Sequence, residues 1–328
     1  MYYTIEYFER IDYNIMQIRT DLALEAREMI NEKKSEKMKD NNSLPEGMFV
    51  NTTENEYVII TDIQIKSDEA MKAIGKKKGK YITLELKQSV LDTIDTQENT
   101  AATLAEEIKK IIKEHSIKEP KIMLVGLGNR NITADSLGPK VADKIVVTRH
   151  VKNLQKMKKN QNIEIDNRLG NVCAIAPGVM GVTGIETSEI IKGMLSTVNP
   201  DLLIVIDALA SRKATRVNST IQISDTGIVP GSGVGNHRME LSQEVLGIPV
   251  ISVGVPTVVD AFTLVKDMLD IAEKDLPELE NIDNIANMIV TPKNIDIAIE
   301  RISDVVASAV NMAIHKGFKM QEINEYLI

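Results

Sequence analysis

Four largely apolar runs, residues 122–125, 172–176, 202–206 and 249–253, the last interrupted only by Ser252, constrain this chain more than any other feature. Each is strand-length, lacks polar alternation and breaks at glycine, proline or aspartate, and helical spacing follows most of them. Runs of that kind read as strands buried on both faces, the mark of parallel sheets covered by helices. If the four strands are parallel, their carboxyl ends share one edge of the sheet, where ligands meet open α/β folds. Four loops then converge there: GLGNRNITADSLGPK, PGVMGVTG, DALASR and GVPTVVDA.

The flanking pattern extends this core. Strands are expected at 57–65, 81–86 and 220–224, the last with an antiparallel direction open, and helices at 100–114, 185–195, 257–271 and 295–314. Residues 31–48 turn polar and read as a linker, 151–169 as an excursion, and the region from Pro277 onward as peripheral helices that cover the sheet or mediate assembly. The expected fold is α/β: a largely parallel central sheet with helices on both faces, plus additional N-terminal strands and C-terminal helices.

Two carboxylates fall on the shared edge. Asp135 follows the first strand's loop, just before a helix that Ser136 would cap and Pro139 would enter, so complementing the helix dipole is its plainer role. Asp207 directly follows LLIVI, where a buried carboxylate needs a partner or a task. Close approach of two such groups raises one pKa, so that the ionised member can deprotonate water while the protonated one polarises a carbonyl. Coordination of a divalent ion by the same pair stands open beside hydrolysis.

Other signals are weaker. Glycines of PGVMGVTG, Gly178 and Gly181 among them, could present N–H groups to an oxyanion or simply form a strand-to-helix turn. Arg212 could hold an acidic substrate or form an ion pair. His237 closes the glycine-rich loop GSGVGNHR, whereas His115, His150 and His315 sit in polar or charged contexts and are expected to be exposed. The basic turn GKKKGKY lacks P-loop spacing and reads as solvated, with substrate steering the lesser reading. GLGN fails as a dinucleotide fingerprint because Asn131 occupies the third glycine position.

Composition narrows the function classes. A net charge of -8 and a pI near 5.3 argue against nucleic acid as partner. No apolar run approaches the ~20 residues of a membrane span. One cysteine, Cys173, excludes an intramolecular disulfide framework and suits a reducing compartment. The start of the chain lacks a secretion signal's basic and apolar regions, so a cytoplasmic protein is expected.

In order along the chain, GLGNRNITADSLGPKV, APGVMGVTGIET, DLLIVIDALASR, SDTGIVPGSGVGNHR and VISVGVPTVVDA resemble the germination protease family, the spore endopeptidases. The similarity runs from about Arg19 to the C-terminus and includes AIGKKKGKYITLE; Ala134 and Ser136 depart mildly from the family's flanks to the first aspartate. The resemblance implies an aspartate-dependent endopeptidase of the spore core that starts degradation of small acid-soluble spore proteins during germination, cutting after an acidic residue. It places the family's two aspartates on Asp135 and Asp207. It also implies a zymogen that removes its own N-terminal segment. The cut falls between Asp21 and Leu22, leaving residues 1–21 as propeptide and 22–328 as a single peptidase domain with peripheral insertions. A homotetramer, no cofactor, no metal and a fold like that of the hydrogenase maturation proteases are further implications. Two alternatives remain at this point: a metal-triggered, hydrogenase-maturation-like endopeptidase, and a non-catalytic anion-binding α/β protein.

Overall fold

The computed structural model describes residues 20–37, 44–157, 166–232, 238–271, 288–319 and 322. The N-terminal half holds α1 (Ala23–Lys37), β1 (Met48–Glu54), β2 (Val58–Ile65), α2 (Asp68–Ile74), β3 (Gly79–Leu86) and α3 (Ile94–Glu114). The middle holds β4 (Lys121–Gly126), α4 (Leu137–Asp143), α5 (Arg149–Met157), β5 (Asn171–Ile175), α6 (Met180–Thr183), α7 (Thr187–Val198), β6 (Leu202–Ser211) and β7 (Thr220–Ser224). The rest comprises α8 (Gln243–Leu246), β8 (Val250–Asp260), α9 (Ala261–Ile271), β9 (Ile289–Val290) and α10 (Ile295–Ile314).

Among the described residues these strands make one nine-stranded sheet, ordered β1-β2-β3-β7-β8-β6-β4-β5, with β9 beside β8. The four apolar runs are its parallel part, β5, β4, β6 and β8. The remainder is antiparallel, through β8–β7, β7–β3 and the meander back to β1. The sheet is therefore mixed rather than largely parallel. The N-terminal strands continue the central sheet instead of standing apart, because β3 finds its partner in β7, far away in sequence.

Alternate side chains of β4 serve opposite faces, as a strand's period of two requires. Ile122 and Leu124 pack with Leu104 and Ile108 of α3 and with Val305, Val306 and Val310 of α10. Met123 and Val125 pack with Leu203 and Val205 of β6 and Ile191 of α7. Each such side chain contributes about 1.5–3 kcal/mol on full burial. Helix α3 starts where the Thr93 hydroxyl accepts the Thr96 N–H at 3.0 Å. Helix α10 covers the Ile122 and Leu124 face of the sheet, with Ile299, Val305, Ala309 and Val310 all fully buried.

Two elements differ in length from expectation. The last β4 rung pairs Gly126 with Ile206, yet β6 continues beside β8 to the rung Ser211–Val259. ALAS thus reads on as strand, and β8 runs to Asp260, past the expected helix start. From Asp207 onward β6 has no β4 neighbour, and that vacated side forms one wall of the site. Helix α4 fills the end of β4 closely: a Cβ on Gly126 would lie 2.0 Å from the Gly138 carbonyl oxygen, and one on Gly138 would lie 2.2 Å from that of Leu127. Only glycine fits either position.

His315 is a correction. It is buried, its Nδ1 accepting the Gly170 N–H at 3.0 Å and its Nε2 donating to the Val146 carbonyl at 3.1 Å. Burial lowers its pKa, and it serves as a neutral core residue. No helix among the described residues is long and apolar enough to cross a membrane.

Candidate active site

Asp135 reaches the sheet edge through a tight turn. The chain leaves β4 at Leu127 and passes Gly128, whose φ of 112° is a backbone state that side chains disfavour. A Cβ there would stand 2.0 Å from the Asp135 carbonyl oxygen. Gly128 therefore lets the two backbones approach. Asp135 closes the short 3-10 turn Thr133–Asp135, and its Oδ2 accepts the Asn129 N–H at 2.8 Å. Ser136 does not cap α4 with its side chain; its hydroxyl donates to the Thr133 carbonyl at 2.8 Å instead.

Asp207 lies within β6, opposite Gly254 of β8, and is 5% exposed. Its Oδ1 accepts the N–H of Ala208 at 2.9 Å. Burial, then the charge of Asp135, then that of Asp21 hold its carboxyl group well above the ordinary carboxylate range. Asp135 is raised too by burial, but the Asn129 N–H opposes the shift by stabilising the anion. Both carboxyl groups are thus raised, Asp207 further than Asp135, and the environments set the pair apart.

Both aspartates line one cavity of about 380 Å³, together with Gly128, Gly178, Gly181 and Asp21. Gly178 has φ 80° and Gly181 lies in the four-residue helix α6. Arg212 does not reach the cavity wall. Its guanidinium holds Asp267 at 2.9 Å and Glu32 at 2.6 Å, the ion-pair reading of that residue. His237 lies outside the described residues. Among the described residues no cluster of three or more His, Cys, Asp or Glu side chains is placed to hold a metal ion.

The sequence reading did not anticipate how Thr20 to Glu25 are held. Asp21 lies along the free side of β6: its N–H donates to the Ala210 carbonyl at 3.0 Å, and its Oδ2 accepts the Ala210 N–H at 2.8 Å. Ser232 donates its hydroxyl to Oδ1 at 2.6 Å. Leu22 and Ala23 are fully buried. Glu25, also fully buried, accepts from the Arg212 N–H at 2.6 Å, the Lys213 N–H at 2.9 Å and the Thr20 hydroxyl at 2.5 Å, with Arg216 at 3.3 Å. The alternation TDLALEA carried this weakly, in a charged residue flanked by alanine and leucine at the start of a helix.

A family model described as germination protease matches residues 23–284. The chain belongs to the germination protease family. A germination protease of Clostridium acetobutylicum is 44% identical, over 94% of this chain and 99% of its own length. That of Caldanaerobacter subterraneus subsp. tengcongensis is 40% identical over 95% and 99%, and that of Bacillus cereus is 37% identical over 97% and 99%. A solved NiFe hydrogenase maturation protease from Thermococcus kodakarensis matches 61% of this chain and 98% of its own at 15% identity and a TM-score of 0.29. That likeness is too slight to bear on the fold, which rests on strand order and register. Family membership makes the chain a peptidase of spore germination.

Proposed function

We propose that the chain is a zymogen of an endopeptidase that hydrolyses the bond after an acidic residue, using Asp135 and Asp207, and that it first removes its own residues 1–21. The matured enzyme, residues 22–328, would then act on small acid-soluble spore proteins in the spore core as a homotetramer, as the family resemblance implies. The observation that carries the reading is the presence of Asp21 in the same cavity as the two aspartates, its backbone laid along β6. Residues 1–19, most of the proposed propeptide, lie outside the described residues.

The chemistry follows from the unequal pair. Ionised Asp135 takes a proton from a water molecule as its oxygen bonds to the Asp21 carbonyl carbon. Protonated Asp207 supplies a proton as the C–N bond to Leu22 breaks. The products are a carboxylic acid at Asp21 and an amine at Leu22, with the two aspartates exchanged in protonation; the new acid's proton then passes to the more basic amine, leaving a carboxylate and an ammonium. While uncut, the segment occupies the cleft and keeps other peptides out. Ser232 and the Ala210 N–H would favour an acidic side chain before the cut, and the full burial of Leu22 an apolar one after it.

A peptide of sequence TDLALEA offered to the matured enzyme should be cut after Asp, and its version with Leu in place of Asp should lose about 10- to 100-fold in kcat/KM, because two partly buried donors lose their acceptor. Equal kcat/KM for the two peptides would remove the specificity assignment.

A further inference from the structure

Lys76 and Gln222 converge on one atom, the carbonyl oxygen of Asp21. Lys76 opens the basic run GKKKGK, whose other lysines all pair with carboxylates: exposed Lys77 and Lys78 with Glu240 and Asp68, and half-buried Lys80 with Glu114. Lys76 is different. Helix α2 ends at Gly75 in a left-handed turn with φ 68°, and this aims the next residue back toward the sheet. The Lys76 ammonium lies 2.9 Å from the Asp21 carbonyl oxygen and 3.3 Å from that of Thr20. No carboxylate forms an ion pair with it among the described residues.

Gln222 sits in β7, a polar side chain between apolar neighbours. Its Oε1 accepts the Ala23 N–H at 2.7 Å, which orients the amide, and its Nε2 then donates to the Asp21 carbonyl oxygen at 3.2 Å. One side chain thus spans the Asp21–Leu22 bond and adds a second donor to the same oxygen.

An ammonium that gives up hydration for two neutral carbonyls is poorly compensated while the bond is intact. Burial draws its pKa down, and only the nearby charges of Asp21 and Glu25 oppose the shift. Compensation arrives when the carbonyl becomes an oxyanion, since a fixed cation and an aligned N–H stabilise charge that exists only in the transition state. We propose that Lys76 and Gln222 are the oxyanion-binding pair for hydrolysis of the Asp21–Leu22 bond, a role that rests on that bond being the one cut. Water's oxygen bonds to the carbonyl carbon, the π electrons move onto the oxygen held by Lys76 and Gln222, and Asp135 keeps the proton. When the oxyanion collapses, the C–N electrons leave with Leu22 N and take the Asp207 proton. Polarising the carbonyl therefore falls to Lys76 and Gln222, and the Asp207 proton is free for the leaving amine.

The alternative for both residues is a tether that merely seats the segment. The full-length chain separates the two when self-cleavage is followed by intact mass and the amides of residues 22–26 by hydrogen exchange. Lys76→Met should slow the cut about 10²- to 10³-fold, the usual cost of losing an oxyanion donor, with parental amide protection. Lys76→Arg should recover most of the rate. Gln222→Glu, which keeps the acceptor for Ala23 but loses the donor, should slow the cut about 10²-fold. A Lys76→Met rate within threefold of the parent overturns the proposal, and so does slowing accompanied by lost protection. A parent chain whose new N-terminus is not Leu22 removes the bond itself, a failure read without any variant.

Discussion

Asp207→Asn lowers the rate of self-cleavage by about 10²- to 10⁴-fold, the range for removing a general acid, and at the same time stabilises the folded chain near neutral pH. Both effects have one cause. The carboxyl group of Asp207 is buried, accepts from Ala208 N–H and faces the charges of Asp135 and Asp21, so it holds its proton well above the ordinary range. In the unfolded chain the same group ionises near its ordinary value of about 3.9. Between those two values the folded chain binds more protons than the unfolded one, so stability falls as pH rises through the window. Asparagine does not titrate and can keep the Ala208 hydrogen bond through its own Oδ1. Thermal unfolding should therefore show the variant melting about 3 °C or more above the parent near neutral pH, with the gap closing as pH falls toward 4. A variant that cleaves at the parental rate, or melts below the parent at neutral pH, contradicts the assignment.

Glu25→Ala should release the N-terminal segment. The parental carboxylate is fully buried and satisfies the Arg212 and Lys213 N–H groups, the Thr20 hydroxyl and part of Arg216. Its removal leaves two backbone N–H groups without an acceptor and loosens a buried ion pair, a cost of about 3 kcal/mol at that locus. Arg216 keeps Glu28 and Glu85, at 2.6 and 3.0 Å, so the loss is local and the sheet stays folded. Hydrogen exchange should show the Leu22 and Ala23 amides losing protection while β6 keeps its own. Self-cleavage should slow about 10- to 100-fold, because the bond spends less time in the cleft. Unchanged protection of Leu22 would show that Glu25 does not anchor the segment.

The parallel part of the fold was legible because residues 122–125 and 202–206 carry no polar position, and a strand buried on both faces leaves that trace. The antiparallel part was not, since β3 and β7 are joined by register across more than a hundred residues and no local pattern specifies that partnership. β1, Met48–Glu54, went unread because its second half is Asn, Thr, Thr and Glu, all exposed and with the composition of a loop. Asp207 stood out by following an apolar run directly. Lys76 did not, because the sequence places it in a basic run whose other lysines pair with carboxylates, and the left-handed turn at Gly75 is what sets it apart from them. His315 was misread for a related reason: Lys316 beside it is exposed, while the His315 ring turns inward to Gly170 and Val146.

The measurement that tests the central claim most directly is the mass of both fragments released when the full-length chain is left to process itself. The account predicts a peptide ending at Asp21 and a chain beginning at Leu22, both formed at least about 10²-fold more slowly when Asp135 or Asp207 is asparagine. A new N-terminus elsewhere, or the same fragments at the parental rate from the Asp207→Asn chain, would contradict it.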